Sequence, residues 1–95
     1  MRVKVQYLGV IRSKLSKTEE EVDVKEGASL SDLLNRLTKT YGENLKSLFD
    51  EDEKNVLDPS YIVTINGVLI GRLRGMKTRL KGGDRISLMT LISGG

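Results

Sequence analysis

Apolar and polar side chains alternate at the start of the chain. Val3, Val5 and Tyr7 share one parity and Arg2, Lys4 and Gln6 the other. That is the period of a β-strand with one buried and one wet face. Leu8, Gly9, Val10 and Ile11 break the alternation, which predicts a bulge or the turn out of the strand. Residues 13–18 read as a polar connection. Alternation then returns, with Glu20, Val22 and Val24 on one parity and Glu21, Asp23 and Lys25 on the other. This second strand is expected to pair with the first as a hairpin with a long loop.

A change of period marks the helix. Leu30, Leu33, Leu34, Leu37 and Tyr41 recur at helical spacing, while Asn35, Arg36 and Lys39 fall on the opposite side. Ser29 is the expected N-cap, Asp32 three positions later completes a variant capping box, and Gly42 stands where a helix stops. A single apolar stripe must lie across a sheet. Asn44, Leu45, Leu48 and Phe49 suggest a short extra turn at the edge of the core, and residues 50–55 a charged loop.

Asp58, Pro59 and Ser60 signal a turn into a third strand over 61–65. Asn66-Gly67, flanked by Val63, Ile65, Val68 and Ile70, predicts a type I′ hairpin. Leu80 returns an apolar anchor, and Gly82-Gly83-Asp84 turns the chain into a last strand. There Ile86 and Leu88 have core parity, while Arg85, Ser87 and Met89 look outward. The pattern predicts an α+β fold: a mixed four- to five-stranded sheet packed on one main helix. Its first and last strands lie side by side at the centre, in a single domain over 1–95.

Composition narrows the chemistry. There is no Cys and no His, which excludes disulfides and thiolate chemistry and removes the usual acid–base catalyst near neutral pH. Metal ligands would be limited to carboxylates and backbone, and no acidic pair stands out from surface charge. The chain reads poorly as an enzyme in its own right. No apolar run approaches membrane-spanning length and the first residues read as a strand rather than a signal peptide, so the cytoplasm is the expected compartment.

Lys plus Arg exceed Asp plus Glu by 16 to 13, a formal charge of +3. The excess is concentrated. Arg72, Arg74, Lys77, Arg79, Lys81 and Arg85 occupy a stretch with one acid, Asp84, whereas Glu19, Glu20 and Glu21 and residues 50–53 form acidic runs. No aromatic interleaves the basic stretch to stack bases, so it reads as a solvated face or one that meets an acidic protein surface, and specific nucleic-acid binding is not expected.

The chain ends Ser93-Gly94-Gly95 after the apolar strand. Two residues without Cβ can pass through a channel too narrow for other side chains and place a carboxylate deep in another protein. A frayed end is the alternative.

The order of elements, Ile65-Asn66-Gly67, the run 80–86 and the final Gly94-Gly95 together resemble the ubiquitin-like β-grasp sulfur carriers. Within them the chain is most similar to the small subunit of molybdopterin synthase and its archaeal relatives, some of which modify proteins. The resemblance spans essentially the whole chain. It implies that Gly95 carries the reactive carboxyl and that Gly94 gives the tail its flexibility. It also implies an exposed apolar patch on Leu8, Leu69 and Met89, with Ile92 in the tail, that docks on the partner proteins. Those partners would be an adenylating enzyme resembling the ubiquitin-activating enzymes, the large synthase subunit and, for a modifier, target-protein lysines. No cofactor would be bound by this chain; Mg-ATP would be used by the activating enzyme. The function implied is sulfur donation in molybdenum cofactor synthesis through a C-terminal thiocarboxylate, with the protein as small subunit or co-substrate. The alternative is a ubiquitin-like modifier joined to lysines through Gly95. Thiamine-pathway carriers are usually shorter and lack the long middle segment. The family's two prolines before the tail are replaced by Thr90-Leu91, which lets the last strand run on towards Ile92.

Overall fold

The computed structural model describes residues 1–49 and 56–90. β1 (Arg2–Leu8) is followed by α1 (Val10–Leu15), β2 (Glu19–Asp23), α2 (Leu30–Tyr41), a 3₁₀ segment (Gly42–Leu48), β3 (Tyr61–Ile65), β4 (Val68–Leu69), 3₁₀ turns at Ile70–Arg72 and Gly75–Lys77, and β5 (Arg85–Thr90). The five strands form one sheet in the order β2-β1-β5-β3-β4. β1 and β5 are parallel and central, with Val5 opposite Ile86 and Leu8 opposite Met89. β1–β2, β3–β5 and β3–β4 are antiparallel. The architecture is the expected α+β β-grasp.

The alternating positions do what their parity requires. Val3, Val5 and Tyr7 from β1, Val63 from β3, and Ile86 and Leu88 from β5 are buried on one face of the sheet. The apolar stripe of α2 (Leu30, Leu33, Leu34 and Leu37) closes over them, joined by Leu45 and Leu48 of the 3₁₀ segment. Ser29 caps α2 in a full capping box: its hydroxyl accepts from the Asp32 N–H, and the Asp32 carboxylate accepts from the Ser29 N–H. Both orphan donors are satisfied locally. Asn66 and Gly67 have φ of 52° and 83°, as the tight hairpin between β3 and β4 demands. β4 is only two residues long, because Ile70 turns down onto the core instead of continuing the strand.

One stretch differs from the sequence expectation. Residues 10–15, expected as a bulge or turn and a polar connection, form the short helix α1. Its Ile11 and Leu15 lie one turn apart and are both buried. Gly9, at the N-cap, has φ 67° and ψ −138°, a conformation costly for any residue with a Cβ. Ser16 ends the helix in the left-handed region. The β1–β2 hairpin loop is therefore long because it contains a helix.

Glu20 faces inward from β2 and organises a polar knot beneath the end of α2. The hydroxyls of Tyr7 and Tyr41 both donate to its Oε2, and Lys17 Nζ reaches Oε1 at 3.2 Å. The two tyrosine rings meet edge to face with centroids 6.2 Å apart. Burial alone would raise the Glu20 carboxyl, but hydrogen bonds from Tyr41, Tyr7 and Lys17 outweigh it and hold its pKa below the ordinary value of 4.5. Burial, and then Glu20 itself, push the Tyr7 hydroxyl well above its usual value.

Candidate functional site

β5 delivers the chain towards its terminus from the middle of the sheet, with Thr90 opposite Tyr61 of β3. The tail positions Ile92, Gly94 and Gly95 lie outside the described residues. The outer face beside the root of the tail can be read from register. Leu8, Met89 and Ile62 form one row across β1, β5 and β3. Leu8 is 40% exposed, and Met89 and Ile62 are half-buried. Gly9 lies at the end of this row; a Cβ there would meet Met89 Cγ at 3.7 Å and the Thr90 carbonyl at 3.8 Å. The backbone is thus close-packed where β5 gives way to the tail.

The next row is polar. Gln6, Ser87 and Thr64 lie side by side, and Ser87 Oγ donates to Gln6 Oε1 at 3.1 Å. Leu69 continues this row on β4, 51% exposed at the edge of the sheet. The structure therefore brings Leu8 and Met89 together with Ile62. It places Leu69 on the same outer face one row and one strand further out, on the short edge strand β4. Ile62 escaped the sequence reading although its parity, opposite to that of Tyr61 and Val63, points it outward.

Beyond the polar row the outer face is charged. Lys4 pairs with Glu19 at 3.1 Å, and Arg2 pairs with Asp23 at 2.9 Å and Glu21 at 3.4 Å. Arg2 holds the Asp23 carboxyl below its usual range. Among the described residues no group of three or more acidic side chains converges as a metal site, and no helix is long and apolar enough to cross a membrane. The described face offers apolar contact beside the end of β5.

Known proteins match this arrangement. The solution structure of small archaeal modifier protein 1 from Methanosarcina acetivorans superposes with a TM-score of 0.83 at 28% identity, covering 99% of this chain and 96% of that one. A putative molybdopterin converting factor, subunit 1, from Pyrococcus furiosus does so with a TM-score of 0.75 at 25% identity, covering 97% and 99%. The fold is shared by the Amycolatopsis orientalis BexX/CysO complex, with a TM-score of 0.73 at 20% identity, covering 98% and 99%. No curated protein matches the sequence significantly. The family model described as the ThiS family matches residues 5–95. With the β-grasp sheet in place and the match running through Gly94 and Gly95, the chain belongs to the ThiS family of ubiquitin-like sulfur carriers and modifiers.

Proposed function

We propose that this protein is a sulfur carrier whose Gly95 carboxylate is adenylated and converted to a thiocarboxylate, which donates sulfur in molybdopterin synthesis. The observation that carries the reading is the family match through the terminal diglycine, on a sheet that sets the Leu8–Met89–Ile62 row beside the root of the tail. A carboxylate is a poor electrophile, so it needs activation by a partner. A Gly95 oxygen attacks the α-phosphorus of ATP on an activating enzyme, and pyrophosphate leaves. A persulfide sulfur then attacks the acyl carbon and AMP leaves. A second thiol cleaves the resulting S–S bond, forming a disulfide with the donor and releasing the thiocarboxylate. The activating enzyme supplies Mg²⁺, the nucleotide site and the proton transfers. This chain supplies the carboxyl, a glycine tail thin enough to enter the active site, and the apolar row that docks. The large synthase subunit is the proposed acceptor of the charged carrier, in the cytoplasm.

A second reading, conjugation of Gly95 to protein lysines, is favoured by the likeness to a small archaeal modifier protein. Both begin with the same acyl-adenylate and differ in the nucleophile that follows. Intact-mass analysis after incubation with the cognate activating enzyme, Mg-ATP and a persulfide donor separates them. The carrier should gain the mass difference between sulfur and oxygen. An unchanged mass with an enzyme active on another carrier overturns sulfur loading. Isopeptide adducts on lysines in place of the mass shift assign the protein to conjugation.

A further inference from the structure

We propose that Arg85 seats an aspartate or glutamate side chain of the adenylating enzyme, in a polar cavity at the β3–β4 hairpin end of the outer sheet face. The inference rests on the docking role proposed for the Leu8–Met89–Ile62 row and adds a charged contact to that same face.

The charges on this face are paired, with one exception. Glu19, Glu21 and Asp23 of β2 are engaged by Arg2 and Lys4 of β1. Arg85 opens β5 and is exposed, with the outward parity of Ser87 and Met89. Among the described residues no carboxylate lies within ion-pair distance of it. Its neighbour on β1 is another cation, Lys4. On the β3 side stands neutral Asn66, whose Oδ1 accepts from the Arg85 backbone N–H at 3.0 Å. The adjacent acid, Asp84, is committed to the turn before β5: one oxygen accepts from Asn66 Nδ2 at 2.9 Å and the other from the Lys81 N–H at 2.7 Å. The Arg85 charge is therefore not answered within the described fold.

Arg85 also lines a cavity of about 550 Å³, together with Gln6, Ser87, Asn66, Gly67 and Gly83. A Cβ at either glycine would meet nothing within 4 Å, so that side is open. The hydrogen-bonding capacity left in the cavity has a definite sense. Asn66 spends both ends of its amide on Arg85 and Asp84, and Ser87 spends its proton on Gln6 Oε1. The unspent donors are Gln6 Nε2 and the Arg85 guanidinium, neither of which has an acceptor among the described residues. Such a site takes an anionic acceptor, and a carboxylate matches the guanidinium fork in two parallel hydrogen bonds. A single unpaired cation flanked by neutral groups suits one carboxylate. It is not the track of cations that follows a phosphate backbone.

Continuity with the apolar row identifies whose carboxylate it is. Arg85 and Met89 share a face four residues apart on β5, roughly 13 Å at the rise of a strand. The Gln6–Ser87–Thr64 row lies between them. A protein interface of standard size covers about 800 Å² on each partner, so one partner seated on Leu8, Met89 and Ile62 also reaches Arg85. The apolar row supplies contact area, and Arg85 supplies orientation and a faster encounter with an acidic surface.

The test measures binding of the full chain to its cognate activating enzyme. At low salt Arg85→Gln should weaken affinity by about threefold and Arg85→Glu by about tenfold or more, with the difference narrowing as salt rises. Lys39→Glu, the same charge change on α2 behind the sheet, should stay within about twofold of wild type. In the wild-type complex the Arg85 side-chain Nε–H resonance should shift and exchange more slowly with water, a readout that needs no variant. An unmoved resonance, or a loss for Arg85→Glu no larger than that for Lys39→Glu, overturns the role of Arg85. If Met89→Asp weakens binding in that same assay, the proposed docking face stands without Arg85. If Met89→Asp and Arg85→Glu both bind as wild type, the docking face and this inference fall together. The mass shift of the wild-type protein on sulfur loading reports separately on Gly95.

Discussion

Replacing Glu20 with alanine should destabilise the protein far more than a partly exposed surface glutamate would suggest. Glu20 Oε2 is the acceptor for two tyrosine hydroxyls, and the Tyr7 side chain is fully buried. Without that acceptor the Tyr7 hydroxyl is stranded, at a cost of about 1–3 kcal/mol. Tyr41 is half-buried and can turn to water, so its lost bond adds about 1 kcal/mol. The contact to Lys17 lies at the surface and adds little. The total is about 2–4 kcal/mol, which for a domain of this size lowers the midpoint by on the order of 10–20 °C. Urea and thermal unfolding followed by circular dichroism at neutral pH measure it directly. Tyr7→Phe combined with Glu20→Ala removes the stranded donor along with its acceptor. That double variant should therefore be more stable than Glu20→Ala alone. A cost for Glu20→Ala within about 0.5 kcal/mol, the range of ordinary surface substitutions, or a double variant as unstable as the sum of the singles, would refute the reasoning.

The same knot sets a pH dependence. Because the folded Glu20 carboxyl titrates below its unfolded value of 4.5, its contribution is complete above that pH and is lost as pH falls through the lower folded value. The wild-type midpoint should drop more steeply than that of Glu20→Gln in acid melts below pH 4.5, and parallel curves would contradict this. Met89→Asp should weaken binding to the activating enzyme at a stability cost of about 1 kcal/mol, because Met89 is half-buried on a central strand, whereas Leu88→Ala should cost about 2–5 kcal/mol. Equal losses in unfolding measurements would show the faces of β5 to be reversed. Gly9→Ala should cost about 1–3 kcal/mol because of its positive φ, and a neutral effect in the same assay would show that the backbone there relaxes freely.

Much of the fold was legible because local chemistry and burial agree. In α2, Ser29, Asp32, Gly42 and the leucine stripe all specify one helix, and each behaves as its type dictates. Asn66-Gly67 specified its hairpin in the same way. α1 was not legible. Six residues are too short for helical periodicity to emerge, and such a helix is held by burial of Ile11 and Leu15 rather than by propensity. The outward direction of Met89 followed from parity within one strand. Whether Leu69 joins it depends on strand order and on how soon β4 ends, which are matters of tertiary packing. Glu20 had core parity in the sequence, but its partner Tyr41 comes from the far end of α2, and no local pattern announces that meeting.

The position of β5 also governs how the molecule bears mechanical load. The strand that leads to the tail is flanked on both sides, parallel to β1 and antiparallel to β3. Tension applied through the tail therefore pulls β5 along its own axis. Two ladders of hydrogen bonds resist together, in shear, instead of opening one after another as they would if an edge strand were peeled away. If the tail enters a partner's active site as proposed, the terminus can be drawn taut while the domain behind it stays folded and the Leu8–Met89–Ile62 row keeps its register.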